Sequence, residues 1–457
     1  MTTAARSVAQ LEDTIVAVAT PSGRGALAVV RLSGPSAFSI AAKHLRASPA
    51  QTRATHLCSI YDGDRVLDQA LVTFFAHPNS FTGDDTVEFS THGGYLVPSS
   101  VVAALISSGA RQALPGEFTR RAVLNGKLDI LQAEAITDLI DASTQRMQQT
   151  ALAQLDGGLS RRLLLLRDSL IDLEALIVYD IDFPEEDDGP ISRDRVEKAA
   201  AGIVESLQAL LATAAAGELI REGAVVVIAG PPNTGKSSLF NALLGRSRAI
   251  VTEIPGTTRD AIEAVIDSGS WPLRLVDTAG LRETDDQIER LGIEVSERYL
   301  AEAHVVLACG ETPKQLEETI KVVARTSSAP ILAVRTKADL VTERDKSGHY
   351  RSDIAVSAES GAGLQDLVEA IDGTLRERHG EIVPDLPILT RARHRHALTL
   401  ACSEIEQFRR AWREDNLPAT IAAIHLRTAV STLEELIGTV EVEDVFDRVF
   451  SSFCVGK

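Results

Sequence analysis

Residues 224–238 read AVVVIAGPPNTGKSS. An apolar run from Ala224 to Ile228 passes through Ala229 into Gly230-Pro-Pro-Asn233-Thr234-Gly235-Lys236-Ser237-Ser238, and SSLFNALLG continues with helical spacing. G-x-x-x-x-G-K-S between a strand and a helix reads as a phosphate-binding loop. Gly230 and Gly235 let the backbone turn its N–H groups toward phosphate oxygens. Lys236 brings charge to the β- and γ-phosphates, and the Ser237 hydroxyl suits Mg²⁺. The helix that follows adds its N-terminal dipole.

Further signals follow in order. Asp277-Thr278-Ala279-Gly280 closes a predicted strand, LRLV. Its aspartate suits a Mg²⁺ shell, and its glycine can turn an N–H toward a γ-phosphate. Between this and the first loop lies Gly256-Thr257-Thr258-Arg259-Asp260, where one threonine (Thr258) suits Mg²⁺ and the ordering of a switch segment. After the predicted strand ILAV comes Thr336-Lys337-Ala338-Asp339. The Asp339 carboxylate can accept from N1–H and the 2-amino group of guanine; adenine has no such donor pair, so GTP is favoured over ATP. Ser357-Ala358 fits a loop behind the base. Together these are the five nucleotide boxes of a Ras-like GTPase. Thr336 departs from the asparagine common there, although a threonine can still tie this loop to the phosphate loop. Leu281 departs from the glutamine that positions water in Ras-type enzymes, so water must be oriented from elsewhere. Glu289 is a reachable carboxylate; its plain alternative is a solvated helix face.

With 457 residues the chain is long enough for about three domains. The net charge of −18 argues against broad nonspecific nucleic-acid binding. The cysteines, Cys58, Cys309, Cys402 and Cys454, form no C-x-x-C pair. That spacing fits a reducing, cytoplasmic setting without a zinc site. No apolar run near 18 residues stands out, so no membrane insertion is expected.

In residues 1–125, β-branched runs (TIVAVAT, ALAVVRL, ALVTFF, TVEF) alternate with turns and two helical stretches, 36–45 and 97–107. This is an α+β pattern. Gly23-Arg24-Gly25 is an anion site or, more simply, a tight turn. His92 has no second ligand at metal spacing and reads as a turn or core histidine. From Leu128 the spacing turns helical, with a further helix over 193–215 and helical sequence again from 390 to 452. An acidic run at 182–190 reads as a solvated loop. Helices on both sides of the GTPase boxes imply one bundle interrupted by an inserted domain. RARHRH at 391–396 suits tRNA phosphates or, equally, a helix face covering acidic neighbours. Cys454-Val-Gly-Lys457 lacks the pattern of a prenylation signal.

DTIVAVATPSGRGALAVVRLSGP, NSFTGDDTVEFSTHGG, LPGEFTRRAVLNGKLDILQAEAITDLIDA, the nucleotide boxes and the terminal FCVGK resemble the MnmE (TrmE) family of tRNA-modifying GTPases across the whole chain. The resemblance implies an N-terminal folate-binding and dimerisation domain over 1–125, a helical domain split into 126–222 and 381–457, and a Ras-like G domain over 223–380. It places a 5-formyl- or 5,10-methylene-tetrahydrofolate on Arg31, Glu88, Lys127 and Lys457. Cations there can meet the folate carboxylates, and a carboxylate can accept from the pterin. Cys454 falls near that site, as a catalytic or structural thiol; an inert buried cysteine is the plain alternative. K⁺ would be held by Asn233, Thr252, Ile254 and Thr257, within a loop that continues through Glu253, Pro255, Gly256 and Thr258. Such a fixed cation can replace an arginine finger. Glu289 aligns with the family's water-orienting carboxylate, while Arg259 and Arg282 read as switch-ordering residues.

The function implied is a potassium-stimulated GTPase, homodimeric and cytoplasmic. It acts with a flavoprotein partner of the MnmG/GidA type, carrying FAD and using NADH, in a heterotetramer. Together they install an aminomethyl or carboxymethylaminomethyl group on C5 of wobble uridine in tRNA. The competing reading is a self-dimerising regulatory GTPase in ribosome assembly or stress, for which the folate residues would have no reason to converge.

Overall fold

The computed structural model describes residues 13–46, 52–182, 193–246, 262–277, 298–340, 353–380, 387–414, 419–438 and the single residues 449, 453 and 456. The chain forms two compact units, one of residues 1–137 with 434–457 and one of residues 138–433.

The first unit contains β1 (Ile15–Val18), β2 (Leu27–Ser33), α1 (Ala37–Lys43), β3 (Thr55–Asp62), β4 (Arg65–Phe75), β5 (Thr86–His92), α2 (Leu96–Ser107), β6 (Arg111–Gln112), α3 (Glu117–Leu124) and the start of α4 (Ile130–Asp141). Its six strands lie in the order β3-β4-β5-β2-β1-β6. The period-2 side-chain alternation of a strand decides the faces. Val30, Leu32, Val72, Phe74, Val87 and Phe89 are buried in one core with Ile40, Val101 and Leu105 of the helices. The opposite face holds Leu27, Leu57 and Leu71, which are 68%, 65% and 47% exposed. Strand β3 is not among the β-branched runs that mark strands in the sequence. It joins β4 through the two-residue turn Gly63-Asp64, with Asp62 opposite Arg65. His92 is neither in the core nor in a turn: it ends β5, largely exposed, with Nδ1 2.7 Å from Asp68 Oδ1. Near the chain end, Val449 and Phe453 pack on Val123, Ile130 and Ala133. Gly456 lies so close to β1 that a Cβ there would meet the Val18 carbonyl oxygen at 2.3 Å.

The second unit contains α5 (Gln145–Leu155), α6 (Gly158–Asp182), α7 (Arg193–Leu211) and α8 (Ala214–Glu222), then a sheet domain. That domain comprises β7 (Ala224–Ala229), α9 (Lys236–Arg246), β8 (Ile262–Asp267), β9 (Pro272–Asp277), β10 (Val305–Gly310), α10 (Pro313–Thr326), β11 (Ile331–Arg335), β12 (Ile354–Ala355) and α11 (Leu364–His379). Helices α12 (Ala392–Glu414) and α13 (Ala419–Ile437) follow. The strand order is β12-β11-β10-β7-β9-β8. Every pairing is parallel except β8 with β9. Strands β7 and β10 are buried at every position, as central parallel strands covered on both faces must be.

Helices on either side of this sheet in sequence close on each other. Glu197 of α7 accepts from Arg409 (2.8 Å) and Arg413 (2.6 Å) of α12, and Glu174 of α6 accepts from Arg427 of α13. The helix expected over 193–215 breaks at residues 212–213, where the Thr213 hydroxyl donates to the Leu210 carbonyl and a new helix starts. Contrary to the expectation from composition, the stretch Arg193–Glu222 is apolar and long enough to cross a membrane by those criteria alone. In this unit it buries Val196, Ile203, Val204, Leu207 and Leu210. RARHRH covers acidic neighbours: Arg391 meets Asp138 at 2.7 Å, Arg395 meets Glu218 at 3.0 Å, and His394 is buried.

The first residue pair of the sheet domain carries a titratable lock. His304 Nδ1 accepts the Val225 N–H at 3.0 Å, and its ring lies 6.0 Å from that of His379. Burial first, then His379, Arg274 and Arg378, push His304 down to about 4. The unfolded value lies near 6.5. Neutral His304 is therefore favoured by folding, and its contribution is complete above about pH 6.5 and is lost as the pH falls toward 4. We expect the urea midpoint to fall more steeply between those pH values in the unmodified protein than in His304→Asn, whose amide oxygen can accept without titrating. Parallel curves would contradict this.

Candidate nucleotide-binding site

The sheet domain gathers the described parts of the predicted nucleotide boxes (residues 230–238, Asp277, 336–339 and 357–358) at the carboxyl ends of its parallel strands, where open α/β sheets bind ligands. Ile262, Asp277 and Ile228 form one row across β8, β9 and β7. The phosphate loop leaves the sheet just after Ala229, segment 278–297 follows Asp277 in sequence, and segment 247–261 precedes Ile262.

The phosphate loop turns through two left-handed residues, Asn233 at φ 64° and Gly235 at φ 78°. Left-handed positions of this kind allow successive N–H groups to turn inward as an anion-binding nest. Lys236 opens α9 and is buried; its Nζ donates to the Pro231 carbonyl at 2.7 Å. Thr234 is buried too, and its hydroxyl donates to the same carbonyl at 2.8 Å. Ser237 and Ser238 follow on the exposed first turn of α9. Asp277 is buried at the end of β9, beside the strand that feeds the loop. The Ser237 hydroxyl and the single Asp277 carboxylate are oxygen donors of the kind Mg²⁺ prefers.

The Thr336–Asp339 loop is anchored by a different residue from the one its sequence suggests. Thr336 does not tie it to the phosphate loop: its N–H and hydroxyl both point to the Gly310 carbonyl, at 3.0 and 3.4 Å. Lys337 makes the tie. Its Nζ donates to the Asn233 carbonyl (2.9 Å) and to Glu311 (2.6 Å). The Ala338 N–H donates to the Val356 carbonyl at 3.0 Å, which joins this loop to Ser357-Ala358. Ser357 is buried; its hydroxyl accepts from the Ser360 N–H at 3.2 Å. Asp339 stands in a short 3₁₀ turn. Glu311 was missed in sequence because nothing marks a lone glutamate after a strand. Cys309, buried in β10 near Lys236 and Asp277, has its thiol pushed up to about 12 by burial and is no nucleophile here.

In the first unit, Arg31 and Glu88 are register partners on β2 and β5, and they form an ion pair at 2.9 Å on the sheet face away from α1 and α2. The Arg31 guanidinium also lies over Phe81 and Phe118, with centroids at 5.2 and 5.6 Å. The loop containing Phe81 brings in the third residue: Asn125 donates to the Thr82 carbonyl at 2.7 Å, and Lys127 Nζ to the Pro78 carbonyl at 3.1 Å. Thr252, Glu253, Ile254, Pro255, Gly256, Thr257, Thr258, Thr278, Ala279, Gly280, Glu289, Cys454 and Lys457 lie outside the described residues, as do Arg259, Leu281 and Arg282.

Two family descriptions match the chain: "GTP-binding protein TrmE N-terminus" over residues 14–127, and "MnmE helical domain" over 130–454. A tRNA modification GTPase MnmE of Aquifex aeolicus is 38% identical over 98% of this chain and 100% of its own length. One of Heliobacterium modesticaldum is 41% identical over 97% of this chain and 99% of its own. Among solved structures, the G domain of the T. maritima FeoB iron transporter is 25% identical, covering 33% of this chain and 98% of its own, with a TM-score of 0.26. The two family matches lie end to end, the curated relatives align over nearly their whole length, and the residues gathered at the sheet are those of the nucleotide boxes; the chain is a member of the MnmE family of tRNA modification GTPases.

Proposed function

We propose that this protein hydrolyses GTP in a Ras-like domain inserted into a helical domain, and that it does so in order to modify tRNA. The observation that carries the reading is the clustering of the phosphate loop, Asp277, the Thr336–Asp339 loop and Ser357 at one edge of a parallel sheet, with Lys337 bonded to Asn233. Lys236, Ser237 and Thr258 serve the phosphates and Mg²⁺, and Asp339 reads guanine. Asn233, Thr252, Ile254 and Thr257 hold K⁺; a bound K⁺ supplies fixed positive charge beside the β- and γ-phosphates. Glu289 orients the attacking water. Glu289→Ala is expected to keep GTP affinity while losing most turnover, about 100-fold; turnover near the unmodified rate would return Glu289 to a solvated face.

The tRNA reaction is the addition of an aminomethyl or carboxymethylaminomethyl group to C5 of wobble uridine, with a FAD- and NADH-dependent partner and a tetrahydrofolate one-carbon unit. Arg31, Glu88, Lys127 and Lys457 receive the folate, with Cys454 nearby. The support in the fold is the largely buried Arg31–Glu88 pair, set between Phe81 and Phe118. The exposed leucines of the sheet face that carries the pair favour a homodimer through the N-terminal unit. Calorimetric titration with 5-formyl-tetrahydrofolate should give binding that weakens by about 10-fold or more in Arg31→Ala, since a charge-assisted contact is lost. Unaltered affinity would remove Arg31 from the site.

Modified nucleosides in bulk tRNA, measured by mass spectrometry, test the whole reading. Cells lacking the gene should lose the C5-modified wobble uridines and regain them only with intact Lys236 and Cys454. Unchanged tRNA, with no redundant enzyme present, would overturn it.

A further inference from the structure

The sheet domain enters and leaves the helical part of the second unit at neighbouring points, and one carboxylate touches both. Asp138 Oδ1 accepts from Arg221 Nε at 3.0 Å and from Arg391 Nη2 at 2.7 Å. Arg221 stands two residues before Gly223, where the chain enters β7; Arg391 follows directly on the segment 387–390 by which it returns. Asp138 is largely buried, its side chain 13% exposed, so its charge is only weakly screened.

The returning segment is pinned further. Gln154 donates to the Ile388 carbonyl (3.2 Å) and to the Thr390 hydroxyl (3.0 Å). The Leu389 N–H donates to the Thr213 hydroxyl at 3.1 Å. Gly217 of α8 lies so close that a Cβ would stand 2.1 Å from the Leu389 carbonyl oxygen. At the other edge, the Gln145 N–H, an orphan donor at the start of α5, finds Asp267 Oδ2 of β8 at 3.1 Å. Between these pins lies a cavity of about 260 Å³ lined by Asp138, Asp141, Met147, Ile220, Arg221 and Arg274. Helix α8 carries Ala216, Leu219 and Ile220 into the apolar core of the sheet domain beside Trp271 and Leu273, so the sheet domain turns with α8, and the polar pins around the cavity tie α8 to the other helices.

We propose that Asp138 is a positioning residue: by holding Arg221 and Arg391 together it fixes the orientation of the nucleotide domain on the helical domain, and so couples GTP turnover to work on tRNA. The coupling rests on the function proposed above; the positioning does not. Charge is the operative property. Asp138→Asn keeps the shape and one acceptor oxygen and removes the charge shared by two guanidinium groups.

The test uses the full chain with spin labels on ketone-bearing residues at Lys314 and Ser403, both exposed, one on each domain. Asp138→Asn should broaden the inter-label distance distribution about two-fold, and Arg391→Gln should do the same, with the double variant no broader than either single one because the residues act as a pair. Basal GTP turnover should stay within about two-fold, while modified uridine formed per GTP hydrolysed falls about 10-fold. Asp138→Glu should restore most of both. An unchanged distance distribution in Asp138→Asn overturns the positioning role, and an unchanged yield per GTP overturns the coupling. If the unmodified protein makes no modified uridine, the tRNA reading fails, and the distance measurement still decides the role of Asp138.

Discussion

Lys236→Ala is expected to lose GTP turnover by about 10²–10³-fold, because a preorganised cation aimed at developing charge is worth that much in a water-poor site. Lys236 is suited to this. It is buried at the head of α9 and held to the Pro231 carbonyl at 2.7 Å, inside the loop it serves. Its ammonium therefore reaches the phosphates without a search over rotamers, and its desolvation is already complete before nucleotide arrives. The same burial is costly to the fold, since an ammonium surrounded by protein loses hydration. The variant should accordingly lose turnover with little or no loss of thermal stability. Single-turnover hydrolysis at saturating GTP, with a melting curve on the same sample, checks both. A rate within about ten-fold of the unmodified protein would show that the loop backbone and α9 suffice for transition-state stabilisation.

Exchanging KCl for NaCl at equal ionic strength should lower GTP turnover by about 10-fold or more, the scale of a lost transition-state charge contact. Leu281 stands where Ras-type enzymes carry glutamine, so part of the stabilisation must come from another group. Asn233 is an exposed amide on a left-handed residue, and its own carbonyl is fixed by Lys337 at 2.9 Å. A side chain on a backbone anchored in this way offers its oxygen at a defined place, which a cation of one size can exploit and a smaller one cannot. The KCl-dependent part of the rate should vanish in Asn233→Ala. Equal rates in the two salts would remove the cation from the mechanism.

Much of this was legible in residues. The phosphate loop and the Thr336–Asp339 loop carry spacing that only one chemistry requires, and the helical periodicity after Leu128 announced the bundle. Strand β3 was legible too: Gly63-Asp64 between two short runs is a hairpin signal. It was passed over because β3 is an edge strand with weak alternation, exposed at Thr55 and Leu57. The break of α7 at residues 212–213 was hidden because alanine and leucine favour helix on both sides; a local hydroxyl-to-carbonyl bond decides it. Side-chain ties between distant segments left no trace. Thr336 was read as the bridge to the phosphate loop, yet Lys337 forms it, with Glu311 as its second partner. Asp138 looked like any polar residue near a helix end, and its partners lie 83 and 253 positions away.

The row Ile262, Asp277 and Ile228 bears on timing. These three residues sit side by side on neighbouring strands, roughly 5 Å apart. Displacement of one of these strand positions is thereby a displacement of the next, so nucleotide binding is expected to move the three together as one kinetic event. A fluorescent reporter on segment 247–261 and another on segment 278–297 should then relax with a single shared rate constant after GTP is mixed in, and two distinct rate constants would show that the neighbouring strand ends move independently.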